Sequence, residues 1–179
     1  MTPVSGLDFH AHVAARGDVL GVGVGAEPEE WERRLGSDFV DDRDRALLRR
    51  DYGLVELSFQ QQRDGSWPCF GVSVPIHRLR WDPESAVPPA LRSAYGDFGP
   101  SVRLGDLTAA VAALGGTVEP DDDGTDGAEG GGTTSDFRRY RVRESGVRLF
   151  VRAAPDLPPA LSPVTQLSVS PAWWGAVTG

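Results

Sequence analysis

Apolar stripes at helical spacing and stretches of strict apolar–polar alternation follow one another along this chain in the same order twice. In 27-EPEEWERRLG-36, Trp31 and Leu35 share one helical face, Pro28 suits the first helical position, the glutamates sit at the positive end of the dipole and Gly36 provides a stop. In 105-GDLTAAVAALGG-116, Leu107, Val111 and Leu114 form the stripe, and Gly115 and Gly116 end it. Each helix leads into an acidic loop, DFVDDRD in the first half and TVEPDDDGTDGAEGGGTTSD in the second, and then into a strand, a tight turn and a strand. The first such pair is 47-LLRRDYGLVELSFQQQ-62, with Val55, Leu57 and Phe59 alternating; the second is 137-FRRYRVRESGVRLFVRA-153, with Val147, Leu149 and Val151 alternating. A further strand closes each half: 69-CFGVSVPIHRLRW-81 aligns with 164-VTQLSVSPAWW-174 through Val72-Ser73-Val74 and Leu167-Ser168-Val169.

The pattern predicts an α+β fold: a tandem helix-strand-strand-strand repeat forming one antiparallel sheet with its helices on one face. Residues 1–81 hold an N-terminal segment, with a helix over Leu7–Ala15, and the first repeat; 82–100 form a Pro-rich linker with a short helix at Ala90–Tyr95; 101–179 hold a diverged second repeat, and the whole makes one compact unit. The separation of matched positions grows from 79 residues at Leu35 and Leu114 to 95 at Val72 and Leu167, and the added length falls in Pro120–Ser135, read as a mobile loop. A sheet covered on one side leaves its other face open to a partner.

Composition narrows the choice of partner. Net charge is −8, which argues against binding nucleic acid or an anionic membrane, both of which require cationic neutralisation of phosphate, and favours a basic protein. No apolar run approaches a membrane span and the N-terminus lacks a secretory pattern, so a cytoplasmic protein is expected; the single cysteine, Cys69, fits a reducing compartment. All 18 cationic residues are Arg, Asn is absent and Ile76 is the one isoleucine, a usage that follows GC-rich codons such as those of actinomycetes.

Three motifs point to chemistry. Gly21-x-Gly23-x-x-Ala26 satisfies a permissive dinucleotide pattern, but only three residues precede it as a strand, and Glu27, Glu29 and Glu30 occupy the helix start that a diphosphate would need. Asp8-Phe9-His10-Ala11-His12 has the form of a D-x-H-x-H metal site, and a small metal-dependent enzyme using His10 and His12 is the alternative function. Cys69 and His77 fall on one strand at even spacing, yet about 26 Å apart, too far for a nucleophile and its base. No cofactor, catalytic residue or metal ligand is therefore expected. Of the tryptophans, Trp31 reads as core, whereas Trp67, Trp81, Trp173 and Trp174 lie near strand ends or the C-terminus.

The segment LGVGVGAEPEEWERRLG, followed by the glycine turn, the ELSF strand and the VSV strand, is similar to the repeat unit of β-lactamase inhibitory protein and of SmpA/OmlA-type lipoprotein domains. ERRLGSDFVDD, LRRDYGLVELSF and CFGVSVPIHRL also resemble actinobacterial immunity-type proteins of polymorphic toxin systems, over about residues 18–81. The resemblance implies a non-enzymatic protein that neutralises a cognate toxin by covering it; a signal peptide and a lipobox cysteine, which the secreted and lipoprotein relatives carry, do not transfer. On this reading Asp38, Asp41, Asp42, Asp121, Asp122 and Asp123 steer a basic toxin domain, and Tyr52 and Trp67 make contacts. A homodimeric interaction module is the remaining alternative.

Overall fold

The computed structural model describes residues 4–121 and 136–171. Ser5 opens helix α1 (Gly6–Arg16) with a reciprocal cap: its backbone N–H donates to the Asp8 carboxylate at 2.7 Å, and its hydroxyl accepts from the Asp8 N–H. Gly17, left-handed at φ 75°, closes the helix. A two-residue hairpin follows, β1 (Asp18–Val19) and β2 (Val22–Gly23), turned by Leu20 and Gly21 at φ 53° and 82°. Two successive positive φ values give the twist a tight hairpin requires, and Asp18 Oδ1 accepts the Gly21 N–H at 2.9 Å. The glycine alternation is thus a turn, not a phosphate cradle.

Helix α2 (Pro28–Leu35) then leads into four strands, β3 (Val40–Asp44), β4 (Leu47–Asp51), β5 (Glu56–Gln60) and β6 (Cys69–Val74), and a 3-10 turn over Ile76–Arg80. Two short helices, α3 (Pro83–Ala86) and α4 (Pro89–Tyr95), cross to α5 (Leu104–Ala113), which again precedes four strands: β7 (Val118–Pro120), β8 (Phe137–Val142), β9 (Arg148–Arg152) and β10 (Val164–Val169). All strands from β3 onward form one antiparallel sheet in the order β3-β4-β5-β6-β10-β9-β8-β7. The halves join at β6 and β10, where Val74, Ser73 and Val72 lie opposite Leu167, Ser168 and Val169.

Each half therefore has four strands where three were expected. DFVDDRD, read as a loop, contains β3, and the start of the second acidic segment contains β7. Every residue of β3 is exposed, so no alternation marks it. An ion pair anchors it instead: Arg50 of β4 donates from Nε and Nη2 to both oxygens of Asp41 at 2.8 and 2.9 Å, and its guanidinium lies 3.6 Å from the centre of the Phe39 ring. A short, charged edge strand also resists pairing with other chains.

The inward rows of the sheet (Leu57 and Phe59, Val72 and Val74, Leu149 and Val151, Val164 and Leu167) meet Phe9, Val13, Trp31, Leu91, Leu107 and Val111 of the helices in one buried cluster. The segment read as a linker belongs to this core, through Val87 and Leu91. It docks closely because Gly53 has no side chain: a Cβ there would overlap the carbonyl oxygen of Ala86, which accepts the Leu54 N–H at 2.7 Å. The helices lie on this inward face, and among the described residues none covers the other. No helix among the described residues is long and apolar enough to cross a membrane.

Candidate binding surface

Strand alternation that buries Leu57, Val72, Leu149 and Leu167 turns Glu56, Ser58, Ser73, Ser168, Arg148, Phe150 and Gln166 outward. At the junction of the two halves these outward residues are small and polar. They floor a depression of about 500 Å³ lined by Arg49, Glu56, Ser58, Phe70, Ser73 and Gln166. Gln166 Nε2 donates to Ser73 Oγ at 2.8 Å across the join, tying the two halves together. A β-bulge between β5 and β6 sets the half-buried Phe70 beside this floor.

Ion pairs hold both flanks in place. On the first half Arg49 bonds Glu56 at 3.2 Å, and Arg78, reaching over from the 3-10 turn, bonds Asp51 at 2.9 Å and also Glu56. On the second half Glu119 accepts from Arg141 at 3.0 Å and from Arg143 at 2.6 Å; those hydrogen bonds hold its carboxyl below the ordinary glutamate range. Beyond these pairs, the outer side of β3 presents Asp42 and Asp44, with Asp38 just before the strand, all exposed and without an ion pair to any described residue.

The expected contact residues separate accordingly. Asp38 and Asp42 stand on the surface as anticipated. Asp41 faces the helix side, and its charge is consumed by Arg50, so it anchors the edge strand and does not steer. Tyr52 requires correction: at 4% exposure it is core, packed on Phe39 with ring centroids 5.3 Å apart, its hydroxyl donating to the Gly36 carbonyl at 3.2 Å. Trp67 is half-buried beneath the guanidinium of Arg43, 4.5 Å from its ring, and its backbone N–H donates to Glu27 at 2.8 Å. Asp121 is 9% exposed and bonded to Arg148 at 3.1 Å, so it is not part of a solvated acidic loop. Asp122 and Asp123, the rest of the Gly/Asp-rich segment to Ser135 that is read as a loop from the sequence, and Trp173 and Trp174 lie outside the described residues.

The histidines do not converge. His10 and His12 sit on a helix, not a strand, so two residues of separation turn them about 200° apart. His10 is 1% exposed, with the Phe9 and Phe98 rings 5.2 and 5.9 Å away, and burial pushes its pKa down to about 3. His12 points elsewhere, its Nε2 2.9 Å from Asp18 Oδ1. No group of three or more His, Cys, Asp or Glu among the described residues is placed to hold a metal ion. Cys69 and His77 do not share a strand either, since β6 ends at Val74 and His77 belongs to the 3-10 turn. The Cys69 thiol donates to the Gly71 carbonyl at 3.3 Å, and burial pushes its pKa up to about 12.

Trp81, one of the tryptophans placed near strand ends, is at 82% exposure the most exposed large apolar residue described. One feature escaped the sequence reading. A separate cavity lined by Arg80, Arg103, Arg152 and His77 draws on residues scattered over the chain, and only the crossing of β6 to β10 brings them together. No protein-family model matches the chain, and no curated protein or solved structure matches it.

Proposed function

We propose that this chain is a non-enzymatic binding protein that neutralises a cognate bacterial toxin, docking a basic toxin domain on the open sheet face with the β3 edge leading. The observation that carries the reading is the unpaired acidic rim of Asp38, Asp42 and Asp44 beside a sheet face that no described helix covers. Such a rim accelerates encounter with a cationic surface through long-range attraction, while the flatter floor around Ser58, Phe70 and Ser73 supplies contact area. The resemblance of ERRLGSDFVDD and its flanking strands to immunity-type proteins supports the same role, in the cytoplasm where a producing cell must protect itself.

The test is co-expression with the candidate toxin encoded beside it, followed by size-exclusion chromatography in about 50 mM and then about 500 mM salt, a span over which surface attraction is screened. A complex that restores growth and weakens in high salt is the expected result. Absence of any complex at low salt refutes the proposal.

A further inference from the structure

A cavity of about 420 Å³ opens where the 3-10 turn, the segment ahead of α5, the end of β9 and the start of β10 meet. Its floor is apolar, with Ile76 and Val164 almost fully buried and Leu161 at the side. Around that floor stand Arg80, Arg103 and Arg152, joined by His77. No carboxylate lines it, and none of the three guanidinium groups is paired with a carboxylate of any described residue. In a chain of net charge −8, three exposed arginines without a described carboxylate partner around one apolar hollow make this rim a place where an anion meets positive charge.

Backbone hydrogen bonds join the segments that carry the lining residues, so the apolar floor and the points from which the arginines project are held together. Arg103 bridges to Pro163, with the Leu104 N–H donating to Ser162 at 3.0 Å and the Val164 N–H to Val102 at 2.8 Å. The Arg152 N–H donates to Pro163 at 3.0 Å. His77 Nδ1 lies 3.2 Å from the Thr165 carbonyl, an acceptor, so Nδ1 carries the proton and Nε2 is left for another partner.

We propose that this cavity binds a small organic anion, a carboxylate or phosphate group carried on a flat apolar body. Guanidinium groups of Arg103 and Arg152 grip the anionic head in forked hydrogen bonds, Arg80 adds charge, and the apolar body rests on Ile76, Val164 and Leu161. The volume falls in the range of small-molecule sites, about 300–1,000 Å³. Arg152 continues the outward row of Arg148 and Phe150 on β9, so the cavity borders the open sheet face, but binding there is read on the isolated chain with no toxin present.

Calorimetric titration of the full chain with phenyl phosphate, inorganic phosphate and benzyl alcohol tests it. Phenyl phosphate is expected to saturate one site with a Kd at or below about 1 mM, and the other two probes to bind at least about tenfold more weakly, because each lacks one half of the recognised chemistry. Arg152→Gln and Arg103→Gln are each expected to weaken phenyl phosphate by about tenfold or more with circular dichroism and Tm unchanged; should one variant fail to fold, the other and Arg80→Gln carry the test. No saturation by phenyl phosphate, equal affinity for inorganic phosphate, or full affinity in the folded arginine variants overturns the proposal.

Discussion

Acidification should unfold this protein through one residue in particular, His10. Enclosed by Phe9 and Phe98 and with its Nδ1 unpartnered, it stays neutral in the fold down to about pH 3, whereas in the unfolded chain it takes up a proton below its ordinary value of 6.5. Because the folded value is the lower one, the unfolded state binds more protons between these limits, and stability falls as pH falls through that window. From the two values, the loss is about 2 kcal/mol between pH 7.5 and pH 5 and reaches about 4 kcal/mol near pH 3. The carboxylates with lowered values, Asp64, Asp82, Glu119 and Glu144, contribute with a different window. Their stabilisation is present above their unfolded values of 3.8 to 4.5 and is lost below them, so it is largely intact at pH 5. Urea unfolding followed by tryptophan fluorescence at pH 7.5 and pH 5 isolates the effect. The native chain should lose about 2 kcal/mol, a midpoint shift of about 1 M urea, and a His10→Leu variant should lose about 2 kcal/mol less. Equal losses in both proteins would refute the reasoning.

Asp41→Asn removes the partner of a guanidinium that is itself buried. Because Asp41 is about one-third exposed, the cost should be about 1–3 kcal/mol in urea unfolding, below that of a fully buried pair; no measurable loss would show that Arg50 does not depend on it. Gly53→Ala places a Cβ at a left-handed φ of 92° and against the Ala86 carbonyl, and should cost about 2 kcal/mol or more by the same assay. Cys69, buried and with its thiol pKa raised to about 12, should resist iodoacetamide in the native protein at pH 8 and react in urea; rapid native labelling would contradict its placement.

Where burial leaves a one-dimensional imprint, the chain announces its own structure. α2 is readable from Trp31, Leu35 and Gly36, and β5 and β9 from Leu57/Phe59 and Leu149/Val151, because one face of each meets the core and the other meets water. β3 leaves no such imprint: its stabilising contact is Asp41 on Arg50, and a pair between strands is invisible in a linear reading. Tyr52 was misread for a related reason. Its DYG turn has the composition of an exposed hairpin, but Phe39 and the Pro-rich segment after the 3-10 turn fold over it. The arginine-lined cavity lies furthest from view, since Arg80, Arg103 and Arg152 become neighbours only when β10 inserts between β6 and β9.

The most direct measurement of the proposed docking compares two charge reversals in stopped-flow association with the proposed toxin partner at low salt. Asp42→Arg with Asp44→Arg alters the outer side of β3, and Glu29→Arg with Glu30→Arg alters a helix on the covered side of the sheet. If the β3 edge leads the encounter, the first pair slows association by about tenfold or more and the second by less than about twofold. Equal slowing by both pairs, or none by the first, would contradict docking through the open face.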